Sequence, residues 1–137
     1  MKDRKEIIAE KVAEIKAQIE ELLDKVDFNL YSLDFYNGQY VTELGFMSDA
    51  GEDFIMVIWF DGTKKSFVDE FQHYACDFDA DEHAEQWVDK RGEGGVPSTI
   101  RGLIEDADSI QEYLDEASIK LSEMIYGKES ESDDDDN

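Results

Sequence analysis

Between residues 5 and 26 the apolar side chains Ile8, Val12, Ile15, Ile19, Leu22 and Val26 recur at steps of three and four, with Ile7 and Leu23 widening the stripe. That spacing keeps one face of a helix apolar and predicts a long amphipathic helix. A stripe of this kind packs on its own domain or forms a coiled-coil seam with a second copy, so the expectation is a monomer or a homodimer.

The period then shortens. Residues 28–36 alternate loosely, Asn37-Gly38 is a tight-turn signal, and Tyr40, Thr42, Leu44 and Phe46 share one face of a second strand, which predicts a hairpin. After a polar loop over 48–53, the run Phe54-Ile55-Met56-Val57-Ile58-Trp59-Phe60 reads as a central strand buried on both faces. A short fourth strand is expected over 63–65.

Helical spacing returns with Phe67, Phe71, Tyr74, Ala75 and Phe78, where Ser66 and Asp69 form a cap pair. Asp79 and Glu82 have capping-box spacing before Ala84, Trp87 and Val88, and the glycines of 92–95 end that element near Lys90. Pro97 and Ser98 open a last stripe through Ile100, Leu103, Ile104, Ala107, Ile110, Leu114, Ala117, Leu121 and Ile125, with a break expected over 106–109 and Gly127 as terminator. The order predicts an α+β domain over residues 1–127. It comprises an N-terminal helix, a three- to four-stranded antiparallel sheet, and several C-terminal helices packed on it. Residues 128–137, acidic and without apolar side chains, are expected to form a disordered tail.

Composition adds constraints. With 41% hydrophobic residues in 137, the chain has material for one core. Its longest apolar run, 54–60, falls far short of the roughly 20 residues a membrane span needs, and the opening Met1-Lys2-Asp3-Arg4-Lys5-Glu6 lacks a secretory pattern. Cys76 is the single cysteine, which precludes an internal disulfide and fits a reducing compartment, so a cytoplasmic protein without a membrane role is expected.

Charge changes the picture most. The chain holds 36 acidic and 13 basic residues, a net charge of −23. The last ten residues account for six acids and one base, so the field belongs mainly to residues 1–127. Residues 1–25 are nearly balanced, with seven acids and six bases. Direct binding of nucleic acid, itself a polyanion, is excluded by repulsion.

Candidate chemistry is sparse. Asp77, Asp79 and Asp81 alternate like the opening of a calcium loop, but the glycine and the bidentate glutamate such a loop needs would fall at Glu82 and Val88. Helix capping accounts for these aspartates more simply. His73, Cys76 and His83 provide three zinc-ligand types without the recurrent four-ligand spacing, and Cys76 reads as a small buried residue. There is no phosphate loop, nucleophile elbow or paired helix histidines, so no metal, no cofactor and no catalytic set is expected, and the chain is read as not an enzyme.

Carboxylates gather in two places. Asp77, Asp79, Asp81, Glu82, Glu85 and Asp89 crowd one region, and Glu105, Asp108, Glu112, Asp115 and Glu116 occupy the polar face of the last helix, with Glu123 beyond them. Like charges three and four residues apart destabilise a helix by a few tenths of a kcal/mol per pair. Acids three or four apart on a helix recur every ~5–6 Å, an approximate match to phosphates spaced ~3.4 Å along a strand.

The stretch Asp77-Phe78-Asp79-Ala80-Asp81-Glu82-His83-Ala84-Glu85-Gln86-Trp87-Val88-Asp89-Lys90-Arg91-Gly92, with Gly95-Val96-Pro97-Ser98-Thr99-Ile100-Arg101-Gly102 after it, resembles a group of small acidic proteins from bacterial genomes and mobile elements. The resemblance spans 77–116 and implies no activity. In size and charge the chain is also similar to DNA-mimicking anti-restriction and anti-CRISPR inhibitors from phages, a likeness of class. The expected function is therefore a non-enzymatic acidic protein engaging a basic protein surface, as in nucleic-acid mimicry against a defence nuclease. The alternative is a structural or regulatory interaction module using the first helix or a sheet edge.

Overall fold

A computed structural model describes residues 3–48, 51–94 and 96–127. Helix α1 (Arg4–Asp24) starts at a complete capping box, in which the Asp3 carboxylate accepts from the Glu6 amide at 2.9 Å and Glu6 accepts from the Asp3 amide at 3.1 Å. Strands β1 (Asn29–Tyr36), β2 (Gln39–Met47) and β3 (Asp53–Phe60) follow as an antiparallel meander in the order β1-β2-β3. At the first hairpin Asn37 and Gly38 both take positive φ, 54° and 83°, the geometry that matches strand twist in a two-residue turn. The second half is helical: α2 (Lys64–Asp77), α3 (Ala80–Gln86), a single 3-10 turn over Val88–Lys90, and α4 (Ile100–Tyr126).

The fold is thus α+β, with the helices packed on one face of the sheet. Inward-facing Leu33, Leu44, Phe46, Phe54, Met56, Ile58 and Phe60 meet Ile19 and Leu23 of α1, Phe67 and Phe71 of α2, and Ile110, Leu114 and Leu121 of α4. Tyr113 of α4 stacks on Phe28 and donates its hydroxyl to the Val26 and Asp27 carbonyls at 3.2 and 2.9 Å, tying α4 to the α1–β1 junction. Ala84, Leu103 and Ala107 form a smaller core between α3 and α4, flanked by Trp87 and Val88.

A bulge at Tyr31 shifts the β1 register between Leu30 and Ser32. Thr42, fully buried on β2, donates its hydroxyl to the Ser32 carbonyl there at 2.7 Å. A buried polar side chain is thereby matched to a carbonyl displaced from the ladder.

Several expectations are corrected. β3 is an edge strand whose residues alternate between buried and exposed, because no helix lies over the second face of the sheet among the described residues. No strand forms over 63–65: Thr63 caps α2 by accepting from the Ser66 amide at 3.1 Å, so Ser66 lies within the helix, where its hydroxyl instead accepts from the Asp61 amide. Thr99, rather than Pro97 or Ser98, caps α4, and α4 runs unbroken through 106–109, where Asp106 and Ala107 are buried and Ser109 donates back to the Asp106 carbonyl. Cys76 is exposed, since the buried stripe of α2 passes through Phe67, Val68, Phe71 and Ala75. The expected acidic tail lies outside the described residues. No described helix is long and apolar enough to cross a membrane.

Candidate functional site

The turn before β3 and the segment joining α2 to α3 enclose a cleft of about 500 Å³. On the sheet side the Ser48 hydroxyl accepts from the Glu52 amide at 2.9 Å, and the Ser48 amide donates to the Glu52 carbonyl at 2.7 Å. This closed loop delivers Glu52 and Asp53 to the cleft wall. On the helical side α2 ends at Asp77, and Asp79 caps α3 by accepting from the Glu82 amide at 3.2 Å, which fixes one turn carrying Asp79, Glu82 and His83.

His83 is the centre of the cleft. Its Nε2 lies 2.9 and 3.1 Å from the two Glu52 carboxylate oxygens, and both side chains are nearly buried. Aromatic rings enclose the imidazole: Phe54 at 5.6 Å, Phe78 at 5.4 Å and Trp87 at 6.5 Å between centroids. Burial alone would push the Glu52 carboxyl up, yet side-chain hydrogen bonding with His83 and with Asp106, and the His83 charge, hold it below its ordinary value. Asp106 reaches the pair from α4, so three elements meet at one carboxylate. Burial pushes the Tyr74 phenol up and keeps it a neutral donor on the cleft wall. Trp87 Nε1, buried without a hydrogen-bond partner among the described residues, carries a desolvation cost of about 1–3 kcal/mol.

The first predicted cluster divides in two. Asp77, Asp79 and Glu82 line the cleft, joined by Glu52 and Asp53, whereas Asp81 and Glu85 border an apolar groove between α3 and α4 at Val88, Leu103 and Ile104. Asp89 is exposed in the 3-10 turn. Of the second cluster, Glu105, Asp108, Glu112 and Asp115 share one shallow hollow on α4, while Glu116 lies in a separate one with Lys25 and Lys120. Glu52 and Asp53 were missed by sequence reasoning, because nothing local links them to residues of α3 some thirty positions later.

No family model, curated protein or solved structure matches the chain.

The arrangement favours a cation. Five carboxylates border the cleft, its walls offer aromatic faces, and no Lys or Arg lines it. Ser, Thr and Cys are missing from the lining, and the His83 Nε2 is committed to Glu52. Among the described residues no three of His, Cys, Asp or Glu converge as a metal-ligand set. His73 pairs with Glu70 on the surface at 3.7 Å and is not among the residues that line the cleft.

Proposed function

We propose that this chain is a non-enzymatic binding protein that engages a basic protein surface, seating a Lys or Arg side chain of its partner in the cleft. The observation that carries the reading is the convergence of Glu52, Asp53, Asp77, Asp79 and Glu82 around aromatic walls without an internal Lys or Arg. An aromatic wall attracts a cation that carboxylates alone would leave hydrated. The row Glu105, Asp108, Glu112 and Asp115 on α4 supplies a second anionic contact.

The partner class that fits is a nucleic-acid-binding protein, a defence nuclease among them, because such a surface already arrays Lys and Arg to meet phosphates. Inhibition would be competitive. Docking through the first helix has less support, since Ile15, Ile19, Leu22 and Leu23 of α1 are spent on the chain's own core.

The test is affinity capture from a nuclease-treated bacterial lysate at low and high salt, using the native chain and the variant D77N/D79N/E82Q. A nucleic-acid-binding protein captured at low salt, released at high salt and lost with the variant is the expected result. Capture that survives both salt and variant overturns the reading.

A further inference from the structure

The second face of the sheet is covered by no described element. Strand pairing places Asp34, Val41 and Trp59 in one row, and Glu43 with Val57 in the next. Tyr36, Met47 and Ile55 belong to the same face, and their exposure is 66%, 63% and 50%. The Tyr36 and Trp59 rings approach to 6.3 Å between centroids. A contiguous apolar patch of this kind on an otherwise highly charged protein marks an interaction surface.

We infer that this outer sheet face is a second docking surface, for a protein that presents apolar side chains interleaved with Lys or Arg. Charge decides the occupant. Residues 26–63 contain seven acids and no Lys or Arg, and three of those acids, Asp34, Glu43 and Asp53, stand among the exposed rings and aliphatic groups. Bases could stack on Tyr36 and Trp59, but their phosphates would be repelled. A second copy packed face to face would set the same carboxylates against one another. The chain's residues 128–137 carry six acids and no apolar side chain, so they match the face in neither respect. An apolar surface rimmed with cations satisfies both. Asp53 and Ile55 also line the cleft, so one basic partner can span both sites. The inference extends the proposed reading, yet each surface has its own substitutions.

The experiment titrates the nitrogen-15-labelled full chain with synthetic peptides of alternating Leu and Lys, alternating Leu and Glu, and alternating Ser and Lys, following amide shifts by NMR. The Leu–Lys peptide is expected to shift Tyr36, Val41, Val57 and Trp59. Val57→Thr with Trp59→Thr, which keeps strand-favouring residues at exposed positions, should weaken that binding at least roughly tenfold. D77N/D79N/E82Q should leave the sheet shifts in place and remove those at the cleft. Shifts confined to the cleft or α4, equal binding of the Leu–Glu peptide, or affinity unchanged by the Thr pair would each overturn the inference. So would concentration-dependent dimerisation in sedimentation equilibrium that the Thr pair abolishes. Absence of cleft shifts in the native chain, with the sheet shifts present, would count against the proposed function and leave the sheet surface standing.

Discussion

His83 Nε2 sits 2.9 Å from a Glu52 carboxylate oxygen, joining α3 to the turn before β3 across 31 residues of chain. The pair is both the hub of the cleft and a clamp between the two halves of the fold. Replacing His83 with Ala leaves a nearly buried carboxylate without its main partner. The expected loss is about 1–3 kcal/mol, read from the urea midpoint at neutral pH.

Glu52 also sets a pH dependence. Its folded pKa lies below the ordinary 4.5, so its contribution to stability is fully present above that value and is lost as pH falls through the lower folded pKa. Acid simultaneously relieves the self-repulsion of a chain carrying −23, which acts in the opposite direction. The informative quantity is therefore the difference in unfolding free energy between wild type and Glu52→Gln, expected to shrink as pH is lowered below 4.5. A constant difference across that window would contradict the assignment.

Thr42→Val removes the hydroxyl that satisfies the Ser32 carbonyl at the bulge while keeping side-chain shape. A loss of about 1–2 kcal/mol is expected, with the largest amide-exchange changes around Leu30 to Leu33.

Gly45→Ala tests the β2–β3 pairing. A Cβ at position 45 would collide with the backbone carbonyl of Phe54, which cannot step aside as a side-chain tip can. Destabilisation of about 1–3 kcal/mol is expected in thermal or urea unfolding.

On α4, Glu112 has like-charged neighbours at Asp108, Asp115 and Glu116, spaced three and four residues away. Glu112→Gln should raise stability by a few tenths of a kcal/mol per relieved pair at low ionic strength. The gain should vanish in concentrated salt, where the screening length falls to about 3 Å.

Much of the architecture was legible because local signals agreed with it. Asn37-Gly38 named the hairpin that forms, and Leu103, Ala107, Ile110, Leu114, Ala117 and Leu121 of the α4 stripe are buried, whereas Ile100 and Ile104 at its start are exposed. β3 was misread because all of its residues from Phe54 onward are apolar, so hydropathy could not show that Ile55, Val57 and Trp59 point away from the core. The strand's position at the sheet edge is a tertiary fact with no local signature. At the cleft, Asp77, Asp79 and Glu82 were visible as a cluster, whereas Asp81 and Glu85 turn out to face elsewhere because a helix distributes neighbours around its axis. The Glu52–His83 contact depends on how α3 docks against β3, which only the assembled fold determines.

The Tyr113 hydroxyl bonded to the Val26 and Asp27 carbonyls spans nearly ninety residues, whereas each strand of the meander pairs with its neighbour in sequence. During synthesis the sheet can therefore pair as soon as residue 60 has left the ribosome, at little loop-closure cost. Ile110, Leu114 and Leu121 emerge after the strands, so until then one side of the nascent sheet lacks its α4 cover while the other exposes apolar groups interleaved with carboxylates. In that interval mutual repulsion among the dense carboxylates would oppose association of growing chains until α4 closes the core.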